Sequence, residues 1–458
     1  MFFKNLTLSI TVILFSGCPL VYALPFSSFD ARSMAMGGAG VAVGGADAAP
    51  LFNPALLSVA NDKDKFSIIL PAVGIRVADP DKLLDSVDKF QSGNYVQNLD
   101  NSINGPTGLN AAIAAFNLSQ TPTTLANMQA AAAAVGNPTT GTLPAVSTQL
   151  TTLSNKPITV DGGVATVVGI PSKKLGVAFF ANGTVATGGI FQYKDKTVLD
   201  NLALQANCLS TAATPAAVTA CNTTYGSGAN PNFSTTTLQS GINFRGVVLS
   251  EFGFSLSREF HPYNKSYAFG ITPKIIKATL FDALINVNNT NQSNVTGSDY
   301  KAEYNIANFD LGAAKDYNNG WRTGLVVKNI IPYKLDFKSA LTPGATPVAT
   351  GDVLVLNPQA RLGVSYTNSW STLAVDIDMT RNDPAGLENP TRYVAFGGEL
   401  NAFNWAQLRA GYRIDTENSA RNITSVGLGL SPFGVHADLA VAGNANEIGA
   451  SFQLGFRY

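Results

Sequence analysis

The last nine residues run Ala450-Ser451-Phe452-Gln453-Leu454-Gly455-Phe456-Arg457-Tyr458. Apolar residues occupy every second position, and Ser451, Gln453 and Arg457 share the other phase. Successive side chains of a strand point to opposite faces, so this segment is a strand with one apolar and one polar side. The pattern recurs upstream. Ala406, Leu408, Ala410, Tyr412 and Ile414 alternate with Gln407, Arg409, Gly411, Arg413 and Asp415. Leu373, Val375 and Ile377 alternate with Ala374, Asp376 and Asp378. Val435, Ala437, Leu439 and Val441 alternate with His436, Asp438 and Ala440. In each run the charges keep to one phase.

Composition says what the apolar phase faces. The chain is 45% hydrophobic and only 13% charged, against about 25% charged in soluble domains. Beyond the amino terminus no apolar run reaches the roughly 20 residues of a spanning helix. A closed barrel is the other structure that crosses a bilayer, since it pairs every backbone polar group internally. The reading is therefore all-β: a transmembrane antiparallel barrel of about 14 strands, with lipid outside and a polar lumen. The competing reading is a secreted soluble β-protein. Strands are expected at 64–78, 157–170, 174–187, 239–258, 265–284, 301–316, 321–338, 353–368, 370–382, 392–402, 405–414, 421–431, 434–443 and 449–458. A phase change near Ala307 predicts a bulge there, and Pro273 predicts a bulge or kink. The terminal strand, with Phe452, Leu454, Phe456 and Tyr458, resembles the signal read by the bacterial barrel-assembly machinery.

The first 23 residues have the layout of a secretory signal peptide. Lys4 is the positive region, Leu6 to Phe15 the apolar region, and Val21-Tyr22-Ala23 a small-residue cleavage site. Cleavage after Ala23 is preferred to the weaker lipoprotein-like site ending at Cys18. Two cysteines then remain, Cys208 and Cys221, and an oxidising compartment favours one disulfide that closes a loop. Residues 79–156 are rich in Ala, Thr and Asn, with helix expected over Pro80 to Phe90 and Leu125 to Val135. Residues 199–236 read as a second long loop. Long loops belong on the extracellular side, short turns on the periplasmic side.

Before the first strand lies Ala31-Arg32-Ser33-Met34-Ala35-Met36-Gly37-Gly38-Ala39-Gly40-Val41-Ala42, followed by Asn53-Pro54-Ala55-Leu56-Leu57. It is too rich in small residues to form a core of its own. It could be a flexible linker, or pack inside a barrel as a plug. Its glycines do not have dinucleotide-fingerprint spacing, and no βαβ unit surrounds them. The segment resembles the amino-terminal hatch of the FadL family of outer-membrane transporters, and its wording is most similar to the TraF-like proteins of conjugal-transfer operons. The resemblance covers roughly residues 29–58. It implies localisation in the outer membrane of a Gram-negative bacterium, a hatch over 24–62, a barrel over 63–458, and a conformation set by Gly37, Gly38, Gly40, Asn53, Pro54 and Ala55. It also implies transport of small hydrophobic molecules, with outer-membrane lipid and the assembly machinery as partners. The alternative is a structural or assembly component of a conjugation or secretion apparatus. The long insertion departs from the transporter pattern, so no substrate pocket is carried over.

Other chemistry finds little support. Net charge is zero, which suggests no nucleic-acid partner. Two histidines, His261 and His436, show no metal-ligand spacing with the cysteines, and no cofactor is expected. Asp376 and Asp378 share a strand face, and His436 shares one with Asp438. Polar lumen wall or hatch contact is the favoured reading of both pairs, over a catalytic site.

Overall fold

The computed structural model describes residues 22–23, 29–59, 65–225, 239–262, 266–286, 297–317, 319–340, 344–383, 389–402 and 405–458. The expected leader lies outside these residues, apart from Tyr22–Ala23. That pair lies parallel to Arg381–Asn382, and the expected cleavage would remove it.

Fourteen antiparallel strands close into one barrel. The first seven are β1 (Ser67–Ala78), β2 (Pro157–Ile170), β3 (Gly176–Gln192), β4 (Gly241–Phe260), β5 (Tyr267–Asn286), β6 (Lys301–Asp316) and β7 (Trp321–Lys328). Two further strands, β8 (Tyr333–Ser339) and β9 (Val348–Leu356), form a separate hairpin. The wall resumes with β10 (Gln359–Thr367), β11 (Ser371–Asp378), β12 (Tyr393–Ala402), β13 (Ala406–Asp415), β14 (Ile423–Leu430), β15 (Val435–Gly443) and β16 (Glu447–Arg457). The last strand closes on the first, Phe452 opposite Val73.

The alternation sorts the faces. Phe452 and Leu454 are exposed on the outer wall, while Ser451 and Gln453 are buried in the lumen. Phe179, Phe252, Ile275, Leu373 and Leu439 continue the outer apolar band. An arginine or lysine on that face would cost about 2–4 kcal/mol at mid-bilayer, which is why the charges keep to the inner phase. One rim carries the short turns, such as 368–370 and 431–434. All three tryptophans, Trp321, Trp370 and Trp405, are exposed beside these turns. An aromatic girdle beside short turns marks the periplasmic interface. The molecule is a β-barrel of the Gram-negative outer membrane.

The structure departs from the expected strands in two places. Residues 321–338 and 353–368 are not two wall strands but four shorter ones, broken at Asn329–Pro332 and Asn357–Pro358. Pro332 and Pro358 cannot donate to a ladder, and Asn329 is left-handed at φ 54°. Beyond these breaks the β8–β9 hairpin tips into the mouth. Leu335, Phe337 and Leu354 bury against Val247 and Leu280 on the inner wall, and the Arg245 guanidinium lies 4.9 Å over the Phe337 ring. Nor is there a bulge at Ala307, because the β5–β6 ladder is unbroken. Above Ala307, Tyr304 and Ile306 turn inward onto the hairpin cluster. Below it, Leu311 faces outward. The phase change records where the strand leaves the lipid. At Pro273 the β4–β5 ladder skips two residues and resumes in register. A register shift does occur in β1, between Ile69 and Ala72.

The insertions are helical. Helices α1 (Ala31–Ala35) and α2 (Ala49–Phe52) lie in the amino-terminal segment, and five more fill 83–153: α3 (Leu83–Ser92), α4 (Tyr95–Asn104), α5 (Leu109–Leu118), α6 (Pro122–Gly136) and α7 (Thr142–Leu153). The stretch expected to be a plain loop holds α8 (Lys196–Thr211) and α9 (Pro215–Tyr225). Ile103, Leu109, Phe116, Met128, Leu143 and Leu209 bury together as a core. The Cys208–Cys221 disulfide, Cα–Cα 5.7 Å, closes a short loop and ties α8 to α9. This helical cap stands on the extracellular side, opposite the tryptophan rim.

Candidate functional site

Residues 29–59 lie inside the barrel. They contain two short helices, α1 (Ala31–Ala35) and α2 (Ala49–Phe52), and a 3-10 turn over Pro54–Ser58. Alone, so few hydrogen-bonded turns would not persist in water. The local caps help: Asp30 accepts the Ser33 N–H at 2.7 Å, and Asn53 Oδ1 accepts the Ala55 N–H at 3.1 Å. Most of the fastening comes from the wall.

Asn53 also donates to the Val41 carbonyl at 3.0 Å and to the β6 carbonyl of Ala313 at 3.1 Å. It thus ties two parts of the segment to the barrel, with Pro54 and Ala55 packed behind it in the turn. The wall makes room at Gly312, where a Cβ would collide with Asn53 and Pro54. Gly37 has φ +71°, and a Cβ there would stand 2.9 Å from the carbonyl oxygens of Phe396 and Tyr412. Gly38, also left-handed, borders open space, and Gly40 lies against the Phe52 ring.

Charged groups complete the seat. Arg32 makes two bonds of 2.9 Å to Glu399, and Arg409 joins Glu399 at 2.7 Å and Asp438 at 2.5 Å. Asp376 Oδ2 accepts the N–H groups of Gly40 and Val41 at 2.8 and 2.9 Å. At the periplasmic end Asp47 pairs with Arg457 at 2.7 Å and His436 at 3.3 Å. Burial alone would raise the Asp47 carboxyl, but Arg457 and His436 outweigh it and hold it well below the usual carboxylate range. At Asp30 burial outweighs the Ser33 amide and Arg32, and pushes the carboxyl up to about 6.

A cavity of about 190 Å³ lies over this segment. Phe29, Met34, Leu51 and Phe52 are its apolar floor. Its walls carry five cations and five carboxylates. Lys274 lies between Glu251 at 2.8 Å and Asp310 at 3.1 Å. Arg76 pairs with Asp161 and Glu447, and Arg413 with Glu447 at 3.3 Å. Arg361 pairs with Asp378 at 2.6 Å. Lys328 donates to the Leu51 carbonyl at 2.6 Å, from wall to floor.

Of the residues singled out from sequence, Gly37, Gly38, Gly40, Asn53, Pro54 and Ala55 come together here. Phe452, Leu454, Phe456 and Tyr458 lie on the outer wall, and Cys208 and Cys221 in the cap. Asp376 and His436, expected as lumen wall or hatch contacts, both touch the segment, whereas the wall partners Glu399, Arg409, Ser425 and Arg457 were not singled out as contacts. Their signal was present as a polar residue on the inner phase. His436 is engaged with Asp47 rather than with a nucleophile, and His261 is exposed at a turn. Among the described residues no cluster of three or more His, Cys, Asp or Glu side chains is placed to hold a metal ion.

These features define a class: an outer-membrane β-barrel with a folded segment docked in its lumen. Within that class, the chain belongs to the family described as the F plasmid transfer operon TraF protein, whose model matches residues 50–378. No curated protein matches. Several solved structures align over almost the whole chain at low identity. The toluene transporter TbuX of Ralstonia pickettii is 13% identical, with a TM-score of 0.47, covering 94% of this chain and 99% of its own. The toluene transporter TodX of P. putida is 13% identical, TM-score 0.44, over 95% and 99%. A FadL homologue of Pseudomonas aeruginosa is 12% identical, TM-score 0.48, over 95% and 99%.

Proposed function

We propose that this protein is an outer-membrane channel for small hydrophobic molecules, with residues 24–62 as its hatch. The observation that carries the reading is how the luminal segment is held. Beyond the apolar packing of Leu51, Phe52, Leu56 and Leu57 with Ile69, Val167 and Phe180 of the wall, it is fastened by individual hydrogen bonds and ion pairs, beneath a cavity with an apolar floor. Such contacts can be exchanged for others at modest net cost, which is what a hatch requires. A molecule would pass the cap, lodge over Phe29, Met34, Leu51 and Phe52, and leave when the hatch shifts. Asn53 and Pro54 set the closed conformation. In the same reading the leader is removed after Ala23, and Phe452, Leu454, Phe456 and Tyr458 serve as the assembly signal.

The test is binding and vesicle uptake of radiolabelled toluene by the folded, heat-modifiable protein, with Asn53→Ala in parallel. Saturable binding, with uptake at least about threefold faster in Asn53→Ala, is the expected result. This follows from removing a side chain with three hydrogen bonds, each worth about 0.5–1.5 kcal/mol. No saturable binding by a correctly folded barrel overturns the reading. The family match and the helical cap favour a second reading, a structural component of a conjugation or secretion apparatus. A stable envelope complex co-purifying with the barrel, and lost on deletion of 79–156, would establish it.

A further inference from the structure

We infer that the cavity selects neutral molecules bearing a hydrogen-bond donor, such as phenols, over both plain hydrocarbons and carboxylates, and that Asp376 makes the selection. The inference rests on the channel reading above and narrows its substrate class.

Charge balance disfavours an anion. The five cations on the cavity wall face five carboxylates, and the closest contacts of those cations are already made. Lys274 lies between two carboxylates, Arg76 and Arg413 share Glu447, Arg361 holds Asp378 and reaches the Gly38 carbonyl at 3.3 Å, and Lys328 donates to the Leu51 carbonyl. An incoming carboxylate would have to break a pair or stay uncompensated, and it loses its hydration either way.

Spare hydrogen-bonding capacity points the other way. Among the described residues, three buried side-chain atoms on cavity-lining residues have no hydrogen-bond partner: Asp376 Oδ1, Asn329 Oδ1 and Arg413 Nε. Arg413 lies flat over the Tyr393 ring, 4.2 Å from its centroid. The other two are acceptors on residues more than nine-tenths buried. Asp376 is the more deeply placed of the two, on a residue only 1% exposed. Its Oδ2 is used by the Gly40 and Val41 amides, which leaves Oδ1. Oδ1 is itself covered, facing Gly363 of the wall beside Val41, so a ligand hydroxyl reaches it as the Gly38–Val41 turn shifts, with open space at Gly38 to receive it. A buried acceptor without a donor bears its desolvation penalty uncancelled. A ligand hydroxyl cancels it; a methyl group cannot, and a carboxylate adds repulsion. Sites built to pair a ligand hydroxyl reject the analogue lacking it far more strongly than apolar pockets reject a missing methylene. The carboxylate that would take the ligand also holds the Gly40–Val41 turn, so occupancy bears directly on the hatch.

The experiment uses the folded full-length protein and four probes of nearly one shape: p-cresol, p-xylene, 4-methylanisole and p-toluate, with affinities from equilibrium dialysis. The expected order puts p-cresol about tenfold ahead of p-xylene and 4-methylanisole, the latter having an oxygen but no donor, and p-toluate last. In Asp376→Asn the amide oxygen can still serve Gly40 and Val41, while an NH₂ group replaces Oδ1. The p-cresol advantage should vanish there and the acceptor p-tolualdehyde should gain. The wild-type series decides the matter even if that variant does not fold. If p-toluate binds best, or p-cresol binds no better than p-xylene, the selectivity is overturned and the channel reading stands. If no probe binds saturably, both fall.

Discussion

The luminal segment and the helical cap are the two parts of this chain that are not wall, and they are stabilised in opposite ways. The cap brings its own core: Leu109, Phe116, Met128, Leu143 and Leu209 bury against one another, and a disulfide joins α8 to α9. The luminal segment borrows its surroundings. Its backbone is received by Asp376, Ser425 and the Gln453 side chain, and its charges are matched by Glu399 and Arg457. A part with its own core can ride on a barrel without depending on its interior. A part that borrows is sensitive to single wall residues, and that sensitivity suits a moving element.

The largest expected effect tests the borrowing. Glu399→Ala takes away the partner that Arg32 and Arg409 share, and removing one member of a buried ionic group costs about 3–5 kcal/mol. Arg409 keeps Asp438, so the loss should fall on the luminal segment. A nitroxide label on Met34→Cys should become mobile at much lower urea than in the parent, while the barrel keeps its heat-modifiability. If the barrel itself softens equally, the segment is part of the wall's core and the contrast with the cap fails.

The next effect tests the cap's independence. Replacing both Cys208 and Cys221 by Ser should cost the cap about 3 kcal/mol, the order expected for a short closed loop. The readout is proteolysis between α8 and α9, which should accelerate about a hundredfold. The urea midpoint at the Met34 label should not move. A fall there would mean that cap and luminal segment are one cooperative unit.

The same contrast explains what could be read from sequence. Wall strands were legible because lipid demands apolar residues on every second position, and the closed ladder admits no alternative register without exposing charge. The Gly37–Ala55 wording was legible as a packed segment, since only small residues fit against a wall backbone. Most of its partners were not, because Glu399, Arg409 and Arg457 look in sequence like any lumen residue. The cap was read as partly loop because Ala, Thr and Asn hide its apolar stripe; α6 buries Met128, Ala132 and Val135 within an alanine run. The β8–β9 hairpin was read as wall because Tyr333, Leu335 and Phe337 alternate like a lipid-facing strand. Alternation says that a strand has an apolar side. It does not say whether lipid or another strand covers it.

The smallest effect separates the two buried aspartates of the borrowed segment by pH. Asp30 is raised on folding from 3.8 to about 6, so the folded state binds the extra proton between those values. Its carboxyl is costless to folding below pH 3.8 and increasingly costly from there up to pH 6, reaching about 3 kcal/mol above it. Asp47 is lowered on folding, so its pair is fully present above the unfolded value and is lost only in stronger acid. Between pH 4 and 8, therefore, Asp30 titrates and Asp47 does not. Asp30→Asn keeps an oxygen to cap the Ser33 amide and removes the charge. It should raise the urea midpoint at the Met34 label at pH 8 and leave it nearly unchanged at pH 4. A stabilisation that is equal at both pH values would assign the effect to packing, and one that appears only at pH 4 would reverse the sign argued for Asp30.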